Sequence, residues 1–216
     1  MKHLRTYSLL VLFVFTSVQA QLIDKEASLI LDKTTQIIQK SSGTKVHFKL
    51  IIDNAQITEK ETLEGVLFLK SDKYKYSLAD IETYFDGKTQ WVYMKKQKEV
   101  SVTEPTEEEV SEINPIFILT SYKEGYKITK EEDKKLDGIT YYDINLYPEN
   151  INEDIFRINL LIDKNTYHVS SIAISAKNGT TTTLKIEKQE KNLNFLDKMF
   201  VFDTSKHTDV EFIDLR

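Results

Sequence analysis

Cysteine is absent from the 216 residues. With it go thiolate metal sites, CxxC redox pairs, iron-sulfur ligation, cysteine nucleophiles and disulfide staples. Proline (3) and glycine (6) are too scarce for collagen-like or low-complexity segments. Arginine is nearly missing: beyond residue 20 only Arg157 and Arg216 occur, which argues against a guanidinium clamp for phosphate or sulfate. A basic excess is lacking too, since 29 Lys and Arg face 34 Asp and Glu for a net charge of −5, the wrong sign for a nucleic-acid partner. There is no G-x-S-x-G elbow, P-loop, G-x-G-x-x-G or HExxH pattern. His47, His168 and His207 lie at no metal-ligand spacing. No catalytic residue, metal-ligand set or cofactor motif is therefore assigned. What remains, 40% hydrophobic and 29% charged, is the composition of an ordinary folded protein, and the lack of any active-site motif favours a binder or carrier over an enzyme.

The N-terminus carries the most specific compositional signal. Lys2 and Arg5 precede an apolar run from Tyr7 to Thr16, which closes on Val18-Gln19-Ala20 with small residues at the −3 and −1 positions of a cleavage site. This predicts a signal peptide over residues 1–20. The run of about ten apolar residues falls short of the roughly 20 that span a bilayer. No Cys follows the cleavage point, so the expected product is secreted, soluble, acidic and not membrane-anchored. Residues 21–216 contain no Pro- or Gly/Ser-rich linker and are expected to form one domain. The one break in pattern is Thr103 to Glu112, where glutamates cluster around Pro105; it reads as a solvated loop entering a helix.

Apolar residues Ile23, Ala27, Ile30, Thr34, Ile37 and Ile38 recur at spacings of three and four, which predicts an amphipathic helix over Asp24 to Lys40. After Gly43 the period changes to two. Val46, Phe48, Leu50 and Ile52 alternate with polar residues, followed by Leu63, Leu67 and Leu69, and by Tyr74, Tyr76 and Leu78. Such alternation marks antiparallel strands with one buried face. Further strands are expected over Ile81–Phe85, Gln90–Met94, Val100–Thr103, Tyr141–Tyr147, Ile155–Ile162, Tyr167–Ala176, Thr181–Gln189 and Met199–Phe202. Turns fall at Asp86-Gly87, read as a two-residue hairpin signal, and at Asp137-Gly138 and Asn178-Gly179. Asn114-Pro115 opens a short apolar segment, Ile116 to Leu119, with Pro115 suited to a first helical turn. A mainly β fold, a closed or nearly closed sheet with helices in its mouth, would keep so many one-sided strands out of water.

In order, several segments resemble the periplasmic outer-membrane lipoprotein carrier family (LolA-like). Phe85-Asp86-Gly87-Lys88-Thr89-Gln90-Trp91-Val92-Tyr93 is similar to its DGKT-x-W-x-Y hairpin. Asn114 to Leu119 resembles its short lid helix, and Phe200-Val201-Phe202-Asp203 with Asp209 to Asp214 resembles the closing strand and tail. Where the family often has Arg-Pro after the strand matching Gly65 to Lys70, with that Arg tied to holding the lid, this chain has Lys70-Ser71-Asp72.

The resemblance implies an unclosed antiparallel β-barrel, or half-barrel, with an N-terminal amphipathic helix and a short lid helix over an apolar cavity. It implies a periplasmic carrier that takes the acyl chains of lipoproteins from an inner-membrane ABC-type releasing complex to an outer-membrane acceptor. Related folds also serve as envelope lipid or glycolipid carriers and as stress sensors, which keeps a second reading open. On the carrier reading, Phe48, Leu50, Leu67, Leu69, Tyr76, Trp91 and Tyr93 are expected to line the acyl cavity. Ile116, Phe117 and Leu119 are expected to plug it when empty.

Overall fold

The computed structural model of the protein describes residues 24–56, 60–106 and 118–216. The expected signal peptide, most of the glutamate-rich break, and Ile116 and Phe117 of the expected lid lie outside the described residues.

Helix α1 (Lys25–Gln39) begins at a capping aspartate. The Asp24 carboxylate accepts from the N–H groups of Glu26 and Ala27 at 2.9 and 3.2 Å, satisfying donors that the first turn leaves open. Its second oxygen accepts from Lys130 N–H at 3.2 Å, so the cap also ties the helix to the sheet. Ala27, Ile30, Leu31 and Thr34 form the buried stripe.

The strands are β1 (Thr44–Asn54), β2 (Glu61–Lys70), β3 (Lys73–Leu78), β4 (Ile81–Phe85), β5 (Gln90–Met94), β6 (Glu99–Thr103), β7 (Tyr126–Lys130), β8 (Lys134–Leu136), β9 (Ile139–Pro148), β10 (Ile155–Asp163), β11 (Val169–Ala176), β12 (Thr180–Lys191) and β13 (Glu211–Asp214). Helix α2 (Ile118–Ser121) lies between β6 and β7 in the chain. The strands make one sheet in the order β13-β6-β5-β4-β3-β2-β1-β12-β11-β10-β9-β7, with β8 paired beside β7 on β9. Every pairing is antiparallel except β13 on β6. Because β7 and β13 end opposite edges, the sheet is unclosed, as the resemblance implied.

Turn chemistry explains the connections. Asp137 and Gly138, at φ 50° and 80°, join the registered pair Leu136 and Ile139, the two positive φ values of a type I′ hairpin. The Asp86-Gly87 turn is longer than its dipeptide suggests. Phe85 pairs with Gln90, leaving 86–89 as the loop, and Asp86 Oδ1 accepts from Lys88 and Thr89 N–H at 3.0 and 2.8 Å. Strands β7 and β8 have no apolar alternation to announce them: Ile128 alone is buried on β7, and all of β8 is exposed.

One expectation fails at the C-terminus. Met199 to Phe202 is not a strand: Asp197–Phe200 is a 3₁₀ turn. Its aromatics fill face positions instead of joining an edge. Phe200 meets Phe195 at 6.3 Å, and Phe202 meets Tyr84 at 5.6 Å.

Burial separates the two faces. The inner face, covered by α1, joins Val46, Phe48, Leu67, Ile144, Leu160, Ile172 and Leu184 in the main core. The outer face has a smaller cluster of Tyr84, Val100, Val102 and Phe202, with Trp91, Tyr93 and Val210 against it. The segment from Leu193 to Arg216 thus acts as a strap over the first half of the sheet. No helix among the described residues is long and apolar enough to cross a membrane.

Candidate ligand pocket

An apolar hollow lies where α1 and α2 meet the inner face. Ile37 and Ile38 contribute from α1, Val46 from β1, Leu69 from β2, Leu119 from α2, Val169 from β11 and Ile186 from β12; Tyr167, His168, Gln189 and Lys191 provide its polar part. The hollow is small, with a volume of about 20 Å³, space for a single water.

The cover is held at its margins. Leu119 is 1% exposed and is the α2 side chain that lines the hollow. Thr35 Oγ donates to Leu119 C=O at 2.5 Å, and Tyr122 Oη donates to Asp32 at 2.7 Å. Lys123 pairs with the same carboxylate at 2.8 Å. Together Lys123 and Tyr122 draw the Asp32 carboxyl below its ordinary range, while burial and then Asp32 push the Tyr122 phenol up. Lys70 serves a different segment. Its ammonium donates to Phe195 C=O at 2.7 Å and to Asp197 at 2.6 Å, so it anchors the C-terminal strap and not α2.

The expected lining divides between the two faces. Phe48 and Leu67 are buried in the main core, and Leu50, Leu69 and Tyr76 pack against it; of these five, Leu69 reaches the hollow. Trp91 and Tyr93 belong to the outer cluster. Register decides this, since Trp91 lies opposite Tyr84 and Tyr93 opposite Glu82, so all four point outward together. The Tyr93 ring stands 5.3 Å from Phe202 and 4.9 Å from His207. Trp91-Val92-Tyr93-Met94 is apolar on both parities, so alternation had no means of choosing a face.

The polar rim was not anticipated. Lys191 Nζ and His168 Nε2 approach to 2.5 Å, and no carboxylate pairs with Lys191 among the described residues. A β-bulge brings Lys191 there. The β1–β12 register runs Phe48 to Ile186 and then His47 to Lys188, and the extra residue reverses the facing of the rest of β12. Gln189 and Lys191 consequently share the inner face with Leu184 and Ile186. His168 is presented by a turn in which Tyr167 has φ 57°, an unusual conformation for a bulky residue. Lys33 Nζ sits 3.7 Å from the Tyr167 ring centroid. Burial first, and Lys191 second, lower the His168 pKa; burial lowers that of Lys191.

Comparison with known proteins agrees with this architecture. An uncharacterized conserved protein from Thermus thermophilus superposes with a TM-score of 0.60 at 11% identity, over 88% of this chain and 99% of that one, which shows a shared fold. A LolA superfamily protein from Nitrosomonas europaea matches with a TM-score of 0.44 at 12% identity over 82% and 98% of the two chains. Lipoprotein LppX from Mycobacterium tuberculosis matches with 0.45 at 10% over 80% and 98%. No curated protein matches the chain. The family described as outer membrane lipoprotein carrier protein LolA matches residues 16–179, and the chain belongs to that family.

Proposed function

We propose that the protein is a periplasmic carrier that receives acylated lipoproteins at the inner membrane, holds their acyl chains beneath α1 and α2, and releases them at the outer membrane. The observation that supports this reading is the short helix over the hollow. The four-residue helix α2 contributes one buried leucine to an apolar hollow and is tied by side-chain hydrogen bonds at its margin. An acyl chain displacing Leu119 would exchange one apolar contact for another, which keeps binding reversible. Each CH₂ withdrawn from water is worth about 0.8 kcal/mol, so a sixteen-carbon chain is on the order of 10 kcal/mol too costly to cross water bare. Family membership supports the same reading. The signal peptide, an inner-membrane ABC-type releasing complex and an outer-membrane acceptor belong to this proposal, as does lining by Phe48, Leu50, Leu67, Leu69 and Tyr76 in the open form.

Depletion in the native host tests it. Lipoproteins retained at the inner membrane are the expected result, and unchanged lipoprotein localisation would refute general sorting. The small volume of the hollow, about 20 Å³, favours a second reading, a lipid-binding or stress-sensing module of the same fold. Native mass spectrometry of protein from an envelope extract separates the two: co-purifying acylated peptide supports carriage, whereas a ligand-free species partnered only by protein supports the sensor.

A further inference from the structure

The pocket mouth holds two basic side chains without an acidic partner. Among the described residues Lys191 makes no ion pair, and its ammonium instead meets the His168 imidazole at 2.5 Å. Most other lysines that face a neighbour on this chain find a carboxylate, as Lys70 and Lys73 do with Asp197 and Lys134 does with Asp143. The acidic group nearest the pair in charge effect is Asp163. Its carboxylate is engaged by Asn165 and Thr166 N–H at 2.7 and 3.0 Å. Lys33, from α1, adds a third positive charge over Tyr167.

Three independent features direct this charge at the hollow. The β12 bulge turns Lys191 inward. The strained Tyr167 backbone orients the residue before His168, and strain of this kind tends to be retained at functional positions. Ile37, Ile38, Val46 and Ile186 continue the hollow away from the pair as hydrocarbon. The result is a polar, cationic end on an apolar slot, in a protein that is acidic overall. Two bases this close repel when both are protonated, and an anion beside them removes that penalty.

Resting on the carrier reading, we propose that Lys191 and His168 form a headgroup site, and that the pocket takes an amphiphile whose hydrocarbon tail ends in an anionic group, carboxylate or phosphate. The headgroup would accept from Lys191 Nζ and from protonated His168, with the tail displacing Leu119 and running between α1 and the sheet.

The test is calorimetric titration of the full-length protein with three sixteen-carbon probes below their aggregation concentrations: hexadecanoate, hexadecyl phosphate and methyl hexadecanoate. The expected result is at least a ten-fold preference for the charged probes over the ester. In Lys191→Gln and in the shape-conserving Lys191→Met that preference should fall to about one, with thermal melts showing both variants folded. Tighter hexadecanoate binding points to a free fatty acid, and tighter hexadecyl phosphate binding to a phospholipid-derived ligand. Equal affinity for all three probes, or a preference that survives in both folded variants, overturns the headgroup site while leaving the carrier reading intact. Failure of all three probes to bind also overturns the headgroup site, and the depletion test then decides the carrier reading by itself.

Discussion

The ring of Phe48 lies directly over Gly65, its registered partner on β2. A β-carbon at Gly65 would stand 2.3 Å from Phe48 Cζ, closer than any real contact. The absent side chain of one residue is therefore the space that the other occupies, on the inner face between α1 and the sheet. An aromatic ring covering a glycine on the neighbouring strand restores the burial that glycine forgoes.

Gly65→Ala should consequently destabilise the fold by about 1–3 kcal/mol through overpacking, read as a lower urea midpoint with unchanged slope. Combined with Phe48→Leu, the cost should be less than the sum of the single variants, because the two sites share one volume. Additive costs would show that Phe48 can move aside freely.

Removing the α2 latch should loosen the cover before it loosens the fold. In Asp32→Asn, amide exchange over residues 118–122 should quicken and uptake of an apolar probe should accelerate, with little change in the exchange of β1 and β12. The pH dependence has a definite sign. Lys123 and Tyr122 hold the Asp32 carboxyl below its ordinary 3.8, so the latch contributes fully above that pH and weakens as pH falls through the depressed value. Equal exchange rates in wild type and variant would show that Asp32 does not restrain α2.

The single tryptophan should report the strap and not the pocket. Trp91 packs with Tyr84, Val100, Val102 and Phe202 on the outer face. Filling the inner hollow with an apolar ligand should leave its emission maximum unchanged, whereas Phe202→Ser should shift the maximum to longer wavelength. A ligand-induced shift with the strap intact would place Trp91 within reach of the pocket after all.

Protonation of His168 should oppose folding. Its native pKa is depressed from 6.5 by burial and by Lys191, so the unfolded chain binds the proton more readily. Stability should be level above about pH 6.5 and decline as pH falls toward the native value. His168→Gln should flatten that part of the stability curve, measured by urea denaturation between pH 5 and 8. A bound anionic amphiphile, by favouring the protonated ring in the native state, should shrink or reverse that decline.

Much of the architecture follows from local chemistry. Asp24 caps a three-and-four pattern, and Asp137-Gly138 supplies the paired positive φ values of a tight turn. The alternation of Val46, Phe48 and Leu50 selects the core face of β1. Each of these is decided within a few residues, so sequence suffices. The carrier-like order of helix, hairpin and short apolar segment is equally a property of the chain, as is the absence of any catalytic motif.

The remainder depends on how strands pair. Trp91 and Tyr93 face outward because β4 registers them against Tyr84 and Glu82, a choice that a doubly apolar strand does not encode alone. Phe200 and Phe202 look like strand residues but become fillers, since the strap crosses a sheet face already provided with aromatic partners. Lys191 reaches the pocket only because one extra residue in β12 shifts its register against β1. Helix caps and turns are settled by neighbours along the chain. Which face a residue serves, and which charges meet at the pocket, is settled by strand pairing, within a hairpin for Trp91 and across more than a hundred residues for Lys191, and that belongs to the tertiary structure.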